Sequence, residues 1–283
     1  MKVTFWGTRG SLPAAGPETD RYGGNTSCVE VRGTDGTVLI LDAGSGIRRL
    51  GTALTGTVQR IDLLLTHLHM DHIQGFGFFA PLYDPAVTVH IWGPTSAALS
   101  LRTRLTRYLS PPLFPVRLRD LPSTIELHEV PCGEATIGEF RVAAALVCHP
   151  GPTVGYRITS PTATLAYLPD HEPALGVPAF PLSGEWTSGY DLAAGVDLLI
   201  HDAQYTTAEY AARVGWGHSA LPHTRAFAQL AAVKHLVPFH HEPSHDDRTL
   251  DRLMAEIFDP ATLPFRVTPG REGLTLDLGA SRP

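Results

Sequence analysis

Apolar residues recur along the chain in short dense runs, each bounded by glycine, proline or a polar cluster: KVTFWG, TSCVEVR, TVLILDAG, IDLLLTH, VTVHIWG, FRVAAALVCHP, TVGYRIT, TLAYLPD, VDLLIHD and HLVPFHH. Runs of this length and composition predict β-strands. Three other stretches space their apolar residues at helical intervals and predict helices over 96–109, 221–234 and 248–258, with shorter candidates near 46–54 and 205–213. Strands with helices interspersed predict sheets covered by helices on their outer faces. The proline-rich run SPPLFPVRLRDLP (110–122) lies between a predicted helix and further strands, and reads as a surface loop or lid rather than a domain boundary.

Several of these strands end on an acid or a histidine: Asp42 after LIL, His67 after LLLT, His149 after LVC, Asp170 after AYLP, His201 and Asp202 after LLI, and His240 after VPF. Strand ends on one edge of a sheet lie near each other, so residues remote in sequence can converge there. The densest cluster is LLLTHLHMDHIQG (63–75). His67 and His69 are two apart, so an extended backbone points both to one side, where they can share a metal ion. Asp71 and His72 follow after a turn and can serve a second position. Imidazole and carboxylate together suit zinc, manganese or iron, and two ions about 3.5–4 Å apart can clamp a displacement at phosphorus.

At 283 residues and 43% hydrophobic content the chain can build a sizeable core, and we expect a single domain over 1–283. The formal charge of -6 gives no broad reason to hold long nucleic acid. Arg102, Arg104, Arg107, Arg117 and Arg119 read as one solvated helix face, within reach of a small anion. The opening MKVTFWGTRGSLP lacks the apolar stretch of a signal peptide, and no run approaches the ~18 apolar residues of a membrane span. Cys28, Cys132 and Cys148 are widely spaced, which suits reduced thiols in the cytoplasm better than a disulfide framework.

The motif HLHMDH, preceded by LILDAGSG, resembles the H-x-H-x-D-H signature of the metallo-β-lactamase-fold hydrolases, and the resemblance spans nearly the whole chain. It implies an α/β fold, an αββα sandwich of two mixed sheets flanked by helices. It implies two divalent metal ions, zinc or manganese, one held by His67, His69 and His149 and the other by Asp71, His72 and His240. Asp170 would bridge them, and Asp42 would orient ligands from beside the site. His240 competes with His241 for its role. Adjacent strand residues face opposite ways, so only one should reach the metals, and in ribonuclease Z-like enzymes the ligand directly follows the apolar strand, which favours His240.

Two further segments point to the ribonuclease Z-like branch. VDLLIHDAQY is similar to the HEAT segment of those enzymes, with Asp202 where they carry Glu, and GWGHSALPHTRAF is similar to the segment whose histidine, here His218, precedes a helix. The resemblance implies that His218 stabilises or protonates at the scissile phosphate while Asp202 orients it. The one-methylene difference leaves that relay open. No long Gly-rich arm of the kind that grips tRNA stands in the sequence. The opening FWGTRGSLPAAGPETDRYGGNTSCVEV and the closing FHHEPSHDD are similar to a subgroup that includes the anti-Pycsar cyclic-nucleotide phosphodiesterases. That likeness implies hydrolysis of 3′,5′-cyclic mononucleotides (cCMP, cUMP, cAMP, cGMP) by a homodimer. The apolar run YLSPPLFPV (108–116) is a candidate contact. Other readings within the fold are a further small-phosphodiester hydrolase, a lactonase or a thioesterase. A nucleotide-binding protein without activity would be expected to lose ligand positions, and all are filled.

Overall fold

The computed structural model describes residues 1–130, 133–177 and 180–279. Its strands are β1 (Lys2–Gly7), β2 (Cys28–Arg32), β3 (Val38–Leu41), β4 (Arg60–Leu64), β5 (Thr88–Pro94), β6 (Thr124–Val130), β7 (Gly133–Ile137), β8 (Phe140–Leu146), β9 (Val154–Thr159), β10 (Thr164–Leu168), β11 (Leu198–Asp202), β12 (His235–Phe239), β13 (Arg266–Val267) and β14 (Thr275–Asp277). The α-helices are α1 (Ile47–Leu54), α2 (Met70–Ile73), α3 (Leu101–Tyr108), α4 (Tyr190–Ala193), α5 (Thr207–Ala211), α6 (Leu221–Leu230) and α7 (Asp247–Ile257). One seven-stranded sheet runs β14-β1-β2-β3-β4-β5-β6, the other β13-β12-β11-β10-β9-β8-β7.

Three apolar clusters define the layers. Leu39, Leu41, Val29 and Phe5 of the first sheet pack against Tyr156, Tyr167, Ile200 and Phe239 of the second. Ile40, Leu63 and Ile91 point the other way, to Ile47, Leu50 and Leu54 of α1 and to Leu101 and Leu105 of α3. Ala166, Leu199 and Leu236 likewise face Phe227 of α6 and Leu253 and Met254 of α7. Central strands are therefore buried on both faces, which is why VLIL and LLI read as unbroken apolar runs rather than alternations. The outcome is the expected αββα sandwich. In the first sheet β3, β4, β5 and β6 are parallel, and in the second β10, β11, β12 and β13 are. Their C-terminal ends share one edge of the sandwich.

The structure corrects several sequence expectations. The helix expected over 96–109 is confined to Leu101–Tyr108, starting where the Ser100 hydroxyl accepts from the Thr103 N–H. The one expected over 221–234 stops at Leu230, and the final helix begins one residue early because Asp246 caps it through the Thr249 N–H. β6 was overlooked although TIELHEV alternates, and β7, β13 and β14 are too short or too polar to stand out. The proline-rich loop is not merely superficial: Phe114, Leu118 and Leu121 enter the α1/α3 core. Arg117 and Arg119 lie beyond α3, so the five arginines do not form one helix face. Cys132 lies outside the described residues, and among those described Cys28 is buried and Cys148 partly exposed, neither in a disulfide. No helix among the described residues is long and apolar enough to cross a membrane.

Candidate metal centre

Leu64 ends β4, and the chain bends at Thr66 before His69 opens the single turn of α2, which carries Asp71 and His72 inward. His149 follows β8, Asp170 follows β10, and His240 follows β12. These strand ends bring ligand-type atoms into two adjoining groups, His67, His69 and His149 in one, and Asp71, His72, Asp170 and His240 in the other. Asp170 faces both. Its Oδ2 lies 3.7 Å from His67 Nε2 and 3.8 Å from His149 Nε2, while Oδ1 lies 2.9 Å from His72 Nε2 and 3.3 Å from His240 Nε2. His241 turns away and donates from Nε2 to the Gly270 carbonyl at 2.8 Å.

The remaining ring nitrogens are fixed from behind. His72 Nδ1 donates to Asp42 at 2.8 Å, His149 Nδ1 to the Gly217 carbonyl at 2.9 Å, and His240 Nδ1 to Gln204 Oε1 at 3.1 Å. Thr66 bridges Asp42 to His67, its hydroxyl 2.9 Å from Asp42 Oδ2 and 3.1 Å from His67 Nδ1. With Nδ1 committed in this way, the neutral form of each ring carries its lone pair on Nε2, the state a metal ligand requires. Gln204, Thr66 and the Gly217 carbonyl escaped the sequence reading. Only Gln204, two residues beyond Asp202 in HDAQY, carried a signal that could have been followed. Close packing also demands two glycines: a Cβ on Gly10 would lie 2.4 Å from the His240 ring, and one on Gly217, at φ +88°, 2.2 Å from His149 Nδ1.

Burial and chemistry agree with cation binding. Among the described residues, His67 Nε2, His72 Nε2 and Asp170 Oδ1 are buried with no hydrogen-bond partner, although two of them lie 2.9 Å apart. Close approach without hydrogen-bond geometry suits two ligands converging on one ion. Burial pushes the His149 pKa down to about 4 and that of His67 well below its usual value, so both imidazoles are neutral donors. Burial opposes the ionised form of Asp170, but the neighbouring His240, His72 and His67 outweigh it and hold this carboxyl well below its usual range. Burial also opposes the imidazolium of His72, yet Asp170, Asp71 and Asp42 raise its pKa, which marks the place as one where positive charge is wanted. The cluster is able to hold metal ions.

Beside the centre, His218 Nδ1 donates to Asp202 Oδ2 at 2.8 Å and lies 3.8 Å from Asp170 Oδ2. Asp202 is held in turn by the N–H groups of Gln204 and Ser219 at 3.0 and 3.1 Å. Burial works against His218 carrying a proton, but Asp202, with smaller help from Asp170 and Asp71, lifts its pKa to about 9. A cleft of about 360 Å³ opens from His67 and His69, walled by Arg104, Arg107 and Tyr108 of α3 and by Leu68, Met70, Ile73 and Leu113.

Residues 37–241 match the β-lactamase superfamily domain, and the chain belongs to that superfamily. Ribonuclease BN of Cronobacter sakazakii is 24% identical over 310 residues, covering 90% of this chain and 94% of that protein. Among solved structures, the metallo-β-lactamase fold protein YhfI from Bacillus subtilis superposes with a TM-score of 0.70 at 18% identity, covering 97% of this chain and 98% of that one. A diphosphatase from the PhnP family gives a TM-score of 0.68 at 19% identity, covering 98% and 97%. At such identities the structural likeness is one of fold, the metallo-β-lactamase fold.

Proposed function

We propose that the protein is a metal-dependent phosphodiesterase of small substrates, hydrolysing 3′,5′-cyclic mononucleotides such as cCMP, cUMP, cAMP and cGMP to nucleoside monophosphates. The observation that carries this reading is the His218–Asp202 pair at 2.8 Å beside Asp170. Phosphodiester hydrolysis must expel an alkoxide, and an imidazolium supported by a carboxylate can protonate it. With Nδ1 committed to Asp202, Nε2 is the donor. The relatives' names, ribonuclease BN and diphosphatase, support chemistry at phosphorus.

Two divalent ions, zinc or manganese, held by His67, His69 and His149 and by Asp71, His72 and His240 with Asp170 shared, would supply Lewis acidity to the phosphate and acidify water. The chain's own residues do the rest. Asp42 and Gln204 keep His72 and His240 in register, His218 delivers the proton, and Arg104 and Arg107 offer positive charge in the cleft. A cleft of about 360 Å³ suits one nucleotide. The acidic balance of -6 offers little grip on a polynucleotide.

The experiment is to incubate the metal-loaded protein with the four cyclic nucleotides, bis(p-nitrophenyl) phosphate and a precursor tRNA, and to identify products by chromatography. Linear monophosphates with intact RNA are expected. Cleaved RNA with untouched cyclic nucleotides would replace the reading by a ribonuclease Z-like one, which the similarity to ribonuclease BN favours. Turnover of lactones or thioesters alone would reject phosphorus chemistry. The reading includes a cytoplasmic homodimer, with the exposed Leu113 in the 108–116 run as a contact. Light scattering should then give twice the 30.6 kDa chain mass, and a single chain mass rejects the dimer.

A further inference from the structure

A second histidine cluster sits within β5 and β6, in the strand interiors rather than beyond their ends, and shares no residue with the centre above. The parallel register sets His90 opposite Glu126 and Trp92 opposite His128. Side chains two apart on a strand share a face, so all four project together. His90 Nδ1 lies 3.0 Å from His128 Nε2 and 3.3 Å from Glu126 Oε2, and the latter two atoms are 4.0 Å apart. We propose that His90, His128 and Glu126 form an independent site for one divalent transition ion, with zinc as the reference ion.

The distances are those such an ion requires. Ligand bonds of about 2.0–2.1 Å at tetrahedral angles place donor atoms about 3.4 Å apart. The observed separations of 3.0 to 4.0 Å bracket that value without any strand having to move. Two imidazoles and one carboxylate make a borderline donor set that suits zinc and leaves a fourth position to water. The His128 ring is already immobilised, stacked on Trp92 with centroids 4.0 Å apart. Trp92 in turn donates from Nε1 to Asp62 at 3.0 Å. The neighbouring cation, Arg60, is bound by both oxygens of Asp62 at 2.9 and 3.0 Å, so its charge is answered locally and does not oppose an incoming ion. His90 is mostly covered and Glu126 half-exposed, which gives an ion access from solvent.

The placement gives the site a structural consequence. The segment between β5 and β6 carries α3 and the loop that walls the cleft beside His67 and His69. An ion joining His90 to Glu126 and His128 would fasten the two ends of that segment to each other.

The test counts ions on the intact protein at buffered micromolar free zinc, by mass spectrometry of the metal after equilibrium dialysis. Wild type should hold one ion more than the His90→Ala/His128→Ala variant, with equal turnover of bis(p-nitrophenyl) phosphate by both. Glu126→Gln, a conservative change at a half-exposed position, should keep the fold and weaken the additional site at least tenfold. His69→Ala should lose metal elsewhere yet keep this ion, which separates the inference from the catalytic reading. Cobalt should quench Trp92 fluorescence in wild type and not in the double variant. Equal zinc content in wild type and double variant, or an affinity unchanged by Glu126→Gln, overturns the proposal.

Discussion

Asp42 adopts a left-handed backbone, φ 60°, at the end of β3, and His240 does the same at φ 59° after β12. Ser11, at φ 55°, joins them, its N–H donating to Asp71 at 2.8 Å. Non-glycine residues in this region are costly, and a cluster of them around one site is a usual mark of function. The turn lets Asp42 accept from the Thr66 N–H and hydroxyl, from His72 and from the Tyr167 hydroxyl, each within 3.0 Å. On the proposed reading His218 is the other kind of site residue, one that acts on substrate and not on cations. His218→Ala should therefore keep the metal content and lower turnover roughly 10²–10⁴-fold, the usual scale of lost acid catalysis. The loss should fall on kcat and shrink for p-nitrophenyl esters, whose leaving group needs no proton. Equal slowing of good and poor leaving groups excludes the acid role, and loss of metal makes His218 a ligand.

At the scale of elements, α3 and the loop behind it form the movable-looking wall of the cleft, yet they are anchored. Phe114 packs edge-on to Phe78 with centroids 5.5 Å apart and touches the place of Gly77, and the Tyr108 hydroxyl donates to the Gln74 carbonyl at 2.6 Å. Phe114→Ala should cost about 3–5 kcal/mol of stability, since it removes a large buried ring, and should raise KM more than it lowers kcat. Denaturant titration and steady-state kinetics check both, and an unchanged unfolding midpoint would show the wall to be unanchored. Legibility followed the same division. Strands buried on both faces were plain in the sequence because burial leaves continuous apolar runs, as in β3, β4 and β11. Half-exposed edge strands such as β6 and β7 were not, because their apolar content falls with their burial. The histidines and aspartates of the centre were legible from spacing and resemblance. Gln204 and Thr66 were not, because an orienting hydrogen bond is available to so many residue types that the sequence hardly marks it.

The whole molecule buries histidines in its interior well beyond the centre. Burial lowers the pKa of His201 to about 4, against the pull of Asp202, and that of His235 to about 4, with Arg266 adding to the effect. An unfolded histidine titrates near ~6.5, so between that value and about 4 the unfolded chain binds more protons than the folded one. The stability due to each neutral ring is complete above ~6.5 and falls by about 1.4 kcal/mol per pH unit below it. Urea midpoints should hold between pH 7.5 and ~6.5 and decline from there to pH 5, and a profile flat throughout would contradict the buried neutral state. The centre itself is divided between the sheets: the turn after β4 belongs to one, while His149, Asp170 and His240 extend from the other. Ligand donors tolerate errors of only a few tenths of an ångström. Metal content is thus an alignment gauge for the sandwich. A substitution anywhere in the inter-sheet layer that lets the two halves slip should announce itself as a fractional metal count while the circular dichroism still reads as native.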